Sequence, residues 1–341
     1  MKKRFLYTIA ALALIAGILA WLVFGPATAF ETKSKFIFIR AGKDVKEQVQ
    51  EQMPGIIHYT GIFNFVAGQG DVWQRLKPGR FEIKKGESIF NIVRTLRNNT
   101  QSPVRLVINK LRIKEDLARQ LSKNFDIDSA AAAQFFTSND SLKEFGVDTN
   151  TLFTTIIPDT YFFNWTISFQ NIIKRLQTES KNFWNKNNRL QKAADEGLTP
   201  EQVYTIASIV EEETNKNDDK GNIASVYINR MNKGMALAAD PTIKYALRDF
   251  GMKRIVFGHL KVESPYNTYL NKGLPPGPVC TPSQSTIDAV LDAPRTDYLF
   301  FVAKSDFSGY SHFSSNYAEH EQYAKEYQKA LDELMAKKQN Q

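Results

Sequence analysis

Residues 79–99, GRFEIKKGESIFNIVRTLRNN, decide the fold class of this chain. Apolar residues alternate in GRFEI, as on a strand buried on one face. After a turn carrying Lys and Gly, the period becomes that of a helix in ESIFNIVRTLRNN. The same change of period occurs upstream, from FIFIR (36–40) to DVKEQVQEQM (44–53), and downstream, from VRLVIN (104–109) to IKEDLARQLSKNF (113–125). Successive strand-turn-helix units predict small α+β modules over residues 36–125. They resemble one another too little to form a true repeat.

Toward the N-terminus lies an uncharged run of 20 residues, Phe5–Phe24, FLYTIAALALIAGILAWLVF, directly behind Lys2, Lys3 and Arg4. A helix of that length rises roughly 30 Å, the thickness of a bilayer's hydrocarbon. One membrane crossing is expected, with residues 1–4 in the cytoplasm and the body on the extracytoplasmic side of the inner membrane. A cleaved signal peptide is the alternative, and Ala27-Thr28-Ala29 would suit cleavage. The run is nevertheless longer than the roughly 7–15 apolar residues of such peptides. Residues 25–35 read as a tether.

No second run approaches spanning length, and 341 residues leave room for about two domains. The net charge is +8, of which Lys2, Lys3 and Arg4 supply three. The remaining excess is mild and forms no Lys/Arg block or Arg-rich stripe, so nucleic acid is not an expected partner. Cys280 is the single cysteine, which excludes an internal disulfide. His58, His259, His312 and His320 lack the spacing of H-E-x-x-H and have no cysteine cluster beside them, so no metal site is expected. The chain also lacks G-x-x-x-x-G-K-[ST], G-x-G-x-x-G and G-x-S-x-G, which argues against nucleotide cofactors and serine hydrolase chemistry. No cofactor is expected.

Residues 126–341 read as a mixed α+β body. From about 125 to 200 the pattern is mostly helical, broken at Ile156–Tyr161, and Lys181–Glu196 reads as an exposed helix or linker. Thr199-Pro200-Glu201-Gln202 has the capping-box arrangement and opens a helix through YTIASIVEEET. A second helix, NIASVYINRMNK, ends at Gly234. Thr281-Pro282-Ser283-Gln284 repeats the capping logic before TIDAVLDA, and DYLFFVAK is a strand candidate. A last helix, from about 317 to 337, carries Tyr323, Tyr327, Leu331 and Leu334 as a core stripe.

Two clusters bear on chemistry. In Glu211-Glu212-Glu213 the helical phase separates the three acids. Glu213 continues the buried stripe of Ile206, Ile209 and Val210, Glu212 is displaced toward solvent, and Glu211 lies on the flank. Desolvation raises the pKa of a carboxyl on an apolar face, which suits a general acid; solvated or Arg-paired glutamates are the alternative. The second cluster comprises Asp240-Pro241-Thr242, Ser264–Tyr269 and Gly273–Pro278. Rigid loops bearing Tyr, Asn and Thr suit a polyhydroxylated ligand, although such residues also satisfy turn backbone.

ASIVEEET (207–214), NIASVYINRMNKGMALAADPTIKYAL (222–247) and SPYNTYLNKGLPPGPVCTPS (264–283) occur in order, with IIPDTYFF (156–163) before them and HFSSNYAEH (312–320) after. This series resembles the YceG-like family of endolytic murein transglycosylases. The resemblance implies a LysM-like region over 36–125 and a catalytic region over 126–341. It also implies non-hydrolytic cleavage of the β-1,4 bond between N-acetylmuramic acid and N-acetylglucosamine, leaving 1,6-anhydro ends. Glu213, preceding Thr214, would be the catalytic acid with Glu211 in reserve; Asn229, Arg230, Asp240, Tyr266, Asn267, Thr268 and Tyr269 would line the cleft. Peptidoglycan glycan strands are the implied substrate and peptidoglycan synthases the implied partners. The family's motif holds a usually basic residue between its two glutamates. Glu212 stands there instead, so Glu211 or Glu212 is expected to raise the pKa of Glu213 by repulsion. Ala238 and Ala239 also depart from the polar residues common before the aspartate. The rival readings are a non-catalytic wall-binding scaffold and a hydrolase pairing Glu213 with Asp240.

Overall fold

The computed structural model describes residues 2–339. The chain divides into two compact units. The first gathers the residues up to Leu106 with Leu121–Asp128 and Tyr161–Ser168; the second takes Val107–Gln120, Ser129–Thr160 and the chain from Phe169 on.

The first unit opens with α1 (Lys2–Phe24), among the described residues the one helix long and apolar enough to cross a membrane, with none of its spanning window buried in protein. An all-round apolar helix with no protein cover fits a membrane anchor. The segment expected as a tether is built into this unit instead. Ala27 and Phe30 are core residues, Ala27 N–H donates to Glu87 O, and bridges join Pro26 to Ser88 and Thr28 to Ile57. Ala27 and Phe30 of PATAF seek burial, and a stretch so short shows no period.

Next come β1 (Ser34–Ile39), α2 (Val45–Gln52), α3 (Thr60–Gln69), α4 (Val72–Arg75), β2 (Gly79–Lys84) and α5 (Ile89–Arg97). β1 and β2 pair antiparallel, from Ser34 opposite Lys84 to Ile39 opposite Gly79. Their alternation sends Ile37, Ile39, Phe81 and Ile83 into a core closed by Ile89, Ile92, Val93 and Leu96 of α5. The side chains of Asp44 and Ser88 cap α2 and α5. The third expected unit is present as β3 (Val104–Val107) and α6 (Lys114–Asn124). α3, TGIFNFVAGQ, is not legible in the sequence because it has no polar stripe; it forms by burying Phe63 and Ala67.

The second unit holds α7 (Ser129–Phe136) and α8 (Asn139–Lys143); β4 (Thr160–Phe163) begins within the break expected at Ile156–Tyr161, belongs from Tyr161 on to the first unit, and pairs with β3. α9 (Phe169–Trp184) and α10 (Arg189–Asp195) follow. Lys181–Glu196, expected as an exposed helix or linker, is largely helical and mostly exposed, but it is anchored at several buried points. Phe183, Trp184 and Ala193 are buried, and Arg189 lies over the Phe183 ring while forking onto Asp288 at 2.6 and 2.9 Å. α11 (Pro200–Glu213) has the expected capping box, and every residue from Val203 to Val210 is buried, the mark of a central core helix. α12 (Asn217–Asn232) and α13 (Asp240–Leu247) pack against it.

α14 (Gln284–Leu291) is capped by Ser283, not Thr281. Buried Thr281 instead accepts from Leu111 N–H and donates to Asn109 O. β5 (Phe300–Ala303) confirms the expected strand and pairs with β6 (Ser311–Ser314). On this hairpin lies α15 (Tyr317–Gln339). Its aromatic stripe is half-buried and does not close a core: Tyr323 stacks on His312 at 4.2 Å, Tyr327 meets Phe307, and Leu334 is exposed.

Candidate active site

α11 delivers three consecutive glutamates to one helix end, and its phase sends them into different surroundings. Thr214 is extended and ends the helix; the chain then starts α12, whose Tyr227 is buried beside the end of α11. The Tyr227 hydroxyl donates to Glu213 Oε1 at 2.6 Å. Glu213 keeps part of its surface open, yet protein atoms crowd it. Desolvation pushes its carboxyl up to about 7, against the lowering effect of the Tyr227 hydrogen bond. The negative charge of Asp240 contributes to that rise, while Lys244 and Arg230 oppose it.

The neighbouring glutamates are held differently. Burial would raise the Glu211 pKa, but a hydrogen bond from Thr286, the Lys220 ammonium at 3.3 Å and the Ser283 hydroxyl at 3.0 Å together bring it below the usual range. Glu212, expected to be solvated, is gripped by Arg112 through Nε at 3.0 Å and Nη2 at 2.9 Å, with Lys110 at 3.4 Å. Glu211 and Glu212 are thus each matched to a cation. The like charge that acts on Glu213 comes from Asp240, and not from either neighbour as the sequence suggested.

Asp240 opens α13 and accepts from the Tyr269 hydroxyl at 2.6 Å. Burial, then the hydrogen bond to Asp240, raises the Tyr269 phenol well above its ordinary value. Glu213, Tyr227, Asp240 and Tyr269 therefore form one electrostatically linked group in which Glu213 is the carboxyl poised to carry a proton near neutrality.

The other expected cleft residues all have hydrogen-bond partners within the protein. Asn267 is fully buried and its amide donates to Leu260 O and Val262 O. Thr268 is buried, accepts from Ala239 N–H at 3.0 Å and shares a hydroxyl contact with Thr242. These two bonds hold the turn that presents Tyr269 to the start of α13. Neither side chain is available to a ligand, because tight turns consume Asn and Thr in satisfying backbone. Tyr266 packs on Tyr245 and donates to Asn150 Oδ1. Asn229 donates to Thr296 O and Tyr298 O; Arg230 gives its N–H groups to Leu299 O and Leu237 O. Tyr227 was not among the residues expected at the site. The available signal was a phenol within the apolar stretch of NIASVYINR, whose hydroxyl needs a buried partner.

Among the described residues, no group of three His, Cys, Asp or Glu side chains offers a metal-binding set. A family model described as the YceG-like family matches residues 37–326. The endolytic murein transglycosylase of Bacillus subtilis (strain 168) is 31% identical over 287 residues, covering 80% of this chain and 75% of that protein. The endolytic murein transglycosylase of Streptococcus pneumoniae (strain R6) is 27% identical over 331 residues, and the match spans 89% of this chain but 60% of that protein's length. A crystal structure of a yceG-like protein from Listeria monocytogenes aligns with a TM-score of 0.55 at 25% identity, covering 86% of this chain and 99% of that one.

Proposed function

The chain belongs to the YceG-like family, and from that premise we propose that it is a lytic transglycosylase that cuts peptidoglycan glycan strands internally, with Glu213 as its acid and base. The observation that carries the assignment of Glu213 is its carboxyl, partly open to solvent and shifted to about 7 while the two glutamates before it are ion-paired.

Glu213 protonates the glycosidic oxygen as the bond from the muramyl C1 breaks, and positive charge develops on the sugar ring. The carboxylate then accepts the proton of the muramyl 6-hydroxyl as that oxygen bonds to C1. Water is not consumed, and the acid returns protonated. Tyr227 donates to Oε1, which leaves Oε2 to carry the mobile proton. Asp240, held by Tyr269, places negative charge where it keeps Glu213 protonated and favours the cationic sugar.

α1 is read as the anchor, with Lys2, Lys3 and Arg4 on the cytoplasmic side and the body outside. Support for a LysM-like module comes from the order β1-α2-α3-α4-β2, in which two antiparallel strands flank helices. Held at the membrane, such an enzyme would work where strands emerge, beside the synthases that make them.

The detergent-solubilised full chain, incubated with purified glycan strands, tests this by mass spectrometry of the product ends. Anhydro ends that vanish in Glu213→Gln are expected. Reducing ends would identify a hydrolase using Asp240, and intact strands would identify a scaffold.

A further inference from the structure

Between α13 and the turn at His259–Lys261, the chain runs through FGMKRIVFGHLKV, residues 250–262, a stretch with three Lys or Arg residues and no acid. Both ends of this loop are fixed. Phe250 packs edge-on to Tyr245 beneath the Arg112 guanidinium, and Asn267 binds the carbonyls of Leu260 and Val262. Between them, a defined turn, in which Val256 N–H donates to His259 Nδ1, pushes apolar side chains outward. Phe257 is 75% exposed and Val256 51% exposed. Lys253, Arg254 and Lys261 surround this tip with exposed cations, none of them in an ion pair among the described residues; Lys261 lies over the Phe257 ring at 5.0 Å. Asn267 also ties in the next turn, which adds exposed Leu270 and Lys272.

We propose that this loop is a second membrane contact, in which Val256 and Phe257 enter the interfacial layer of an anionic bilayer while Lys253, Arg254 and Lys261 bind its headgroups. An aromatic and an aliphatic side chain held in water by a rigid turn gain by entering that layer, and long cationic side chains keep their heads among the phosphates. A protein pocket would accommodate the apolar tip, but it would have to bury or pair the surrounding cations. A bilayer is the surface to which this chain's own candidate anchor would tie it. The inference rests on that anchoring and is independent of the chemistry at Glu213.

Gly258→Cys provides the probe site: a Cβ there meets open space, and the natural Cys280 is buried, so labelling is confined to position 258. The full chain, labelled with an environment-sensitive fluorophore, is reconstituted into vesicles of phosphatidylglycerol mixed with phosphatidylcholine, or of phosphatidylcholine alone. Expected are a blue-shifted emission and quenching by lipid-borne quenchers in the anionic vesicles. Both effects should be lost in Val256→Ser/Phe257→Ser, and weakened in Lys253→Glu/Arg254→Glu and in phosphatidylcholine. Water-like emission from chains that float with the vesicles overturns the loop proposal alone. Quenching that survives the double serine variant also overturns it, as does a shift produced by soluble glycan strands and not by vesicles. Chains that fail to float overturn the anchoring as well.

Discussion

The two faces of the last turn of α11 carry the same functional group and treat it in opposite ways. On one face Glu211 and Glu212 meet Lys220, Lys110, Arg112 and two hydroxyls, and are kept as charged braces between distant parts of the second unit. On the other, Glu213 has one phenolic donor and an unfavourable neighbour in Asp240, and it retains its proton. Side-chain identity therefore says little about role here. Direct ion pairing decides it: cations in contact hold Glu211 and Glu212 charged, whereas Lys244 and Arg230 act on Glu213 without an ion pair and do not offset its desolvation.

The sharpest way to break the comparison is to neutralise each acid in turn. Glu213→Gln should reduce formation of anhydro ends by about 10²–10⁴-fold or more, the usual range for a lost general acid, with the fold retained by circular dichroism. Glu211→Gln should act on stability instead. It strands Lys220, whose side chain is only 8% exposed, and breaking such a pair costs about 3 kcal/mol or more. If the remaining folded Glu211→Gln protein were inactive while Glu213→Gln cleaved normally, the roles of the two faces would be reversed.

Stability against pH should show the same contrast with opposite signs. The folded-state pKa of Glu213 is raised from 4.5 to about 7, so the folded state holds a proton that the unfolded chain releases across that window. The cost to stability is therefore absent below about 4.5, grows as pH rises and is complete above about 7, where it amounts to at most about 3 kcal/mol. Glu213→Gln should accordingly melt higher than the natural chain above pH 7, an acid kept at the expense of stability. Glu211, with a lowered pKa, contributes stability above about 4.5 that is lost as pH falls through its folded value. In the natural chain, cleavage should decline on the alkaline side of about 7 as Glu213 loses its proton. Tyr227→Phe should move that limb upward by removing a bond to the carboxylate, and slow cleavage about tenfold, the value of one well-placed hydrogen bond.

The direction of Glu213 was legible in the sequence because helical phase is a local property and Ile206, Ile209 and Val210 define it. The fate of Glu212 was not, because Arg112 and Lys110 lie a hundred residues earlier in the chain and no periodicity connects them. The loops after Asp240 show a different limit. Asn267 and Thr268 belong to residue types that serve ligands and turns equally well, and only their complete burial decides for the turn. All three strand-helix units were visible as changes of period, whereas α3 and the packed stretch around Ala27 and Phe30 were not. Their burial depends on long-range packing rather than on a repeating pattern.

The smallest expected effect tests whether the two faces are independent. Arg112 grips Glu212 with a two-pronged pair, but its side chain is 36% exposed, so solvent screens much of the attraction. Arg112→Ala should then cost about 1 kcal/mol, a drop in melting temperature of roughly 2–4 °C for a body of this size, and less in high salt. The alkaline limb of cleavage should stay in place, since the charge that raises Glu213 belongs to Asp240. Asp240→Asn is the matching change on the other face and should move that limb to lower pH. A limb displaced by Arg112→Ala would mean that the charge of Glu212 reaches Glu213, and the braced face would then be part of the acid's own tuning.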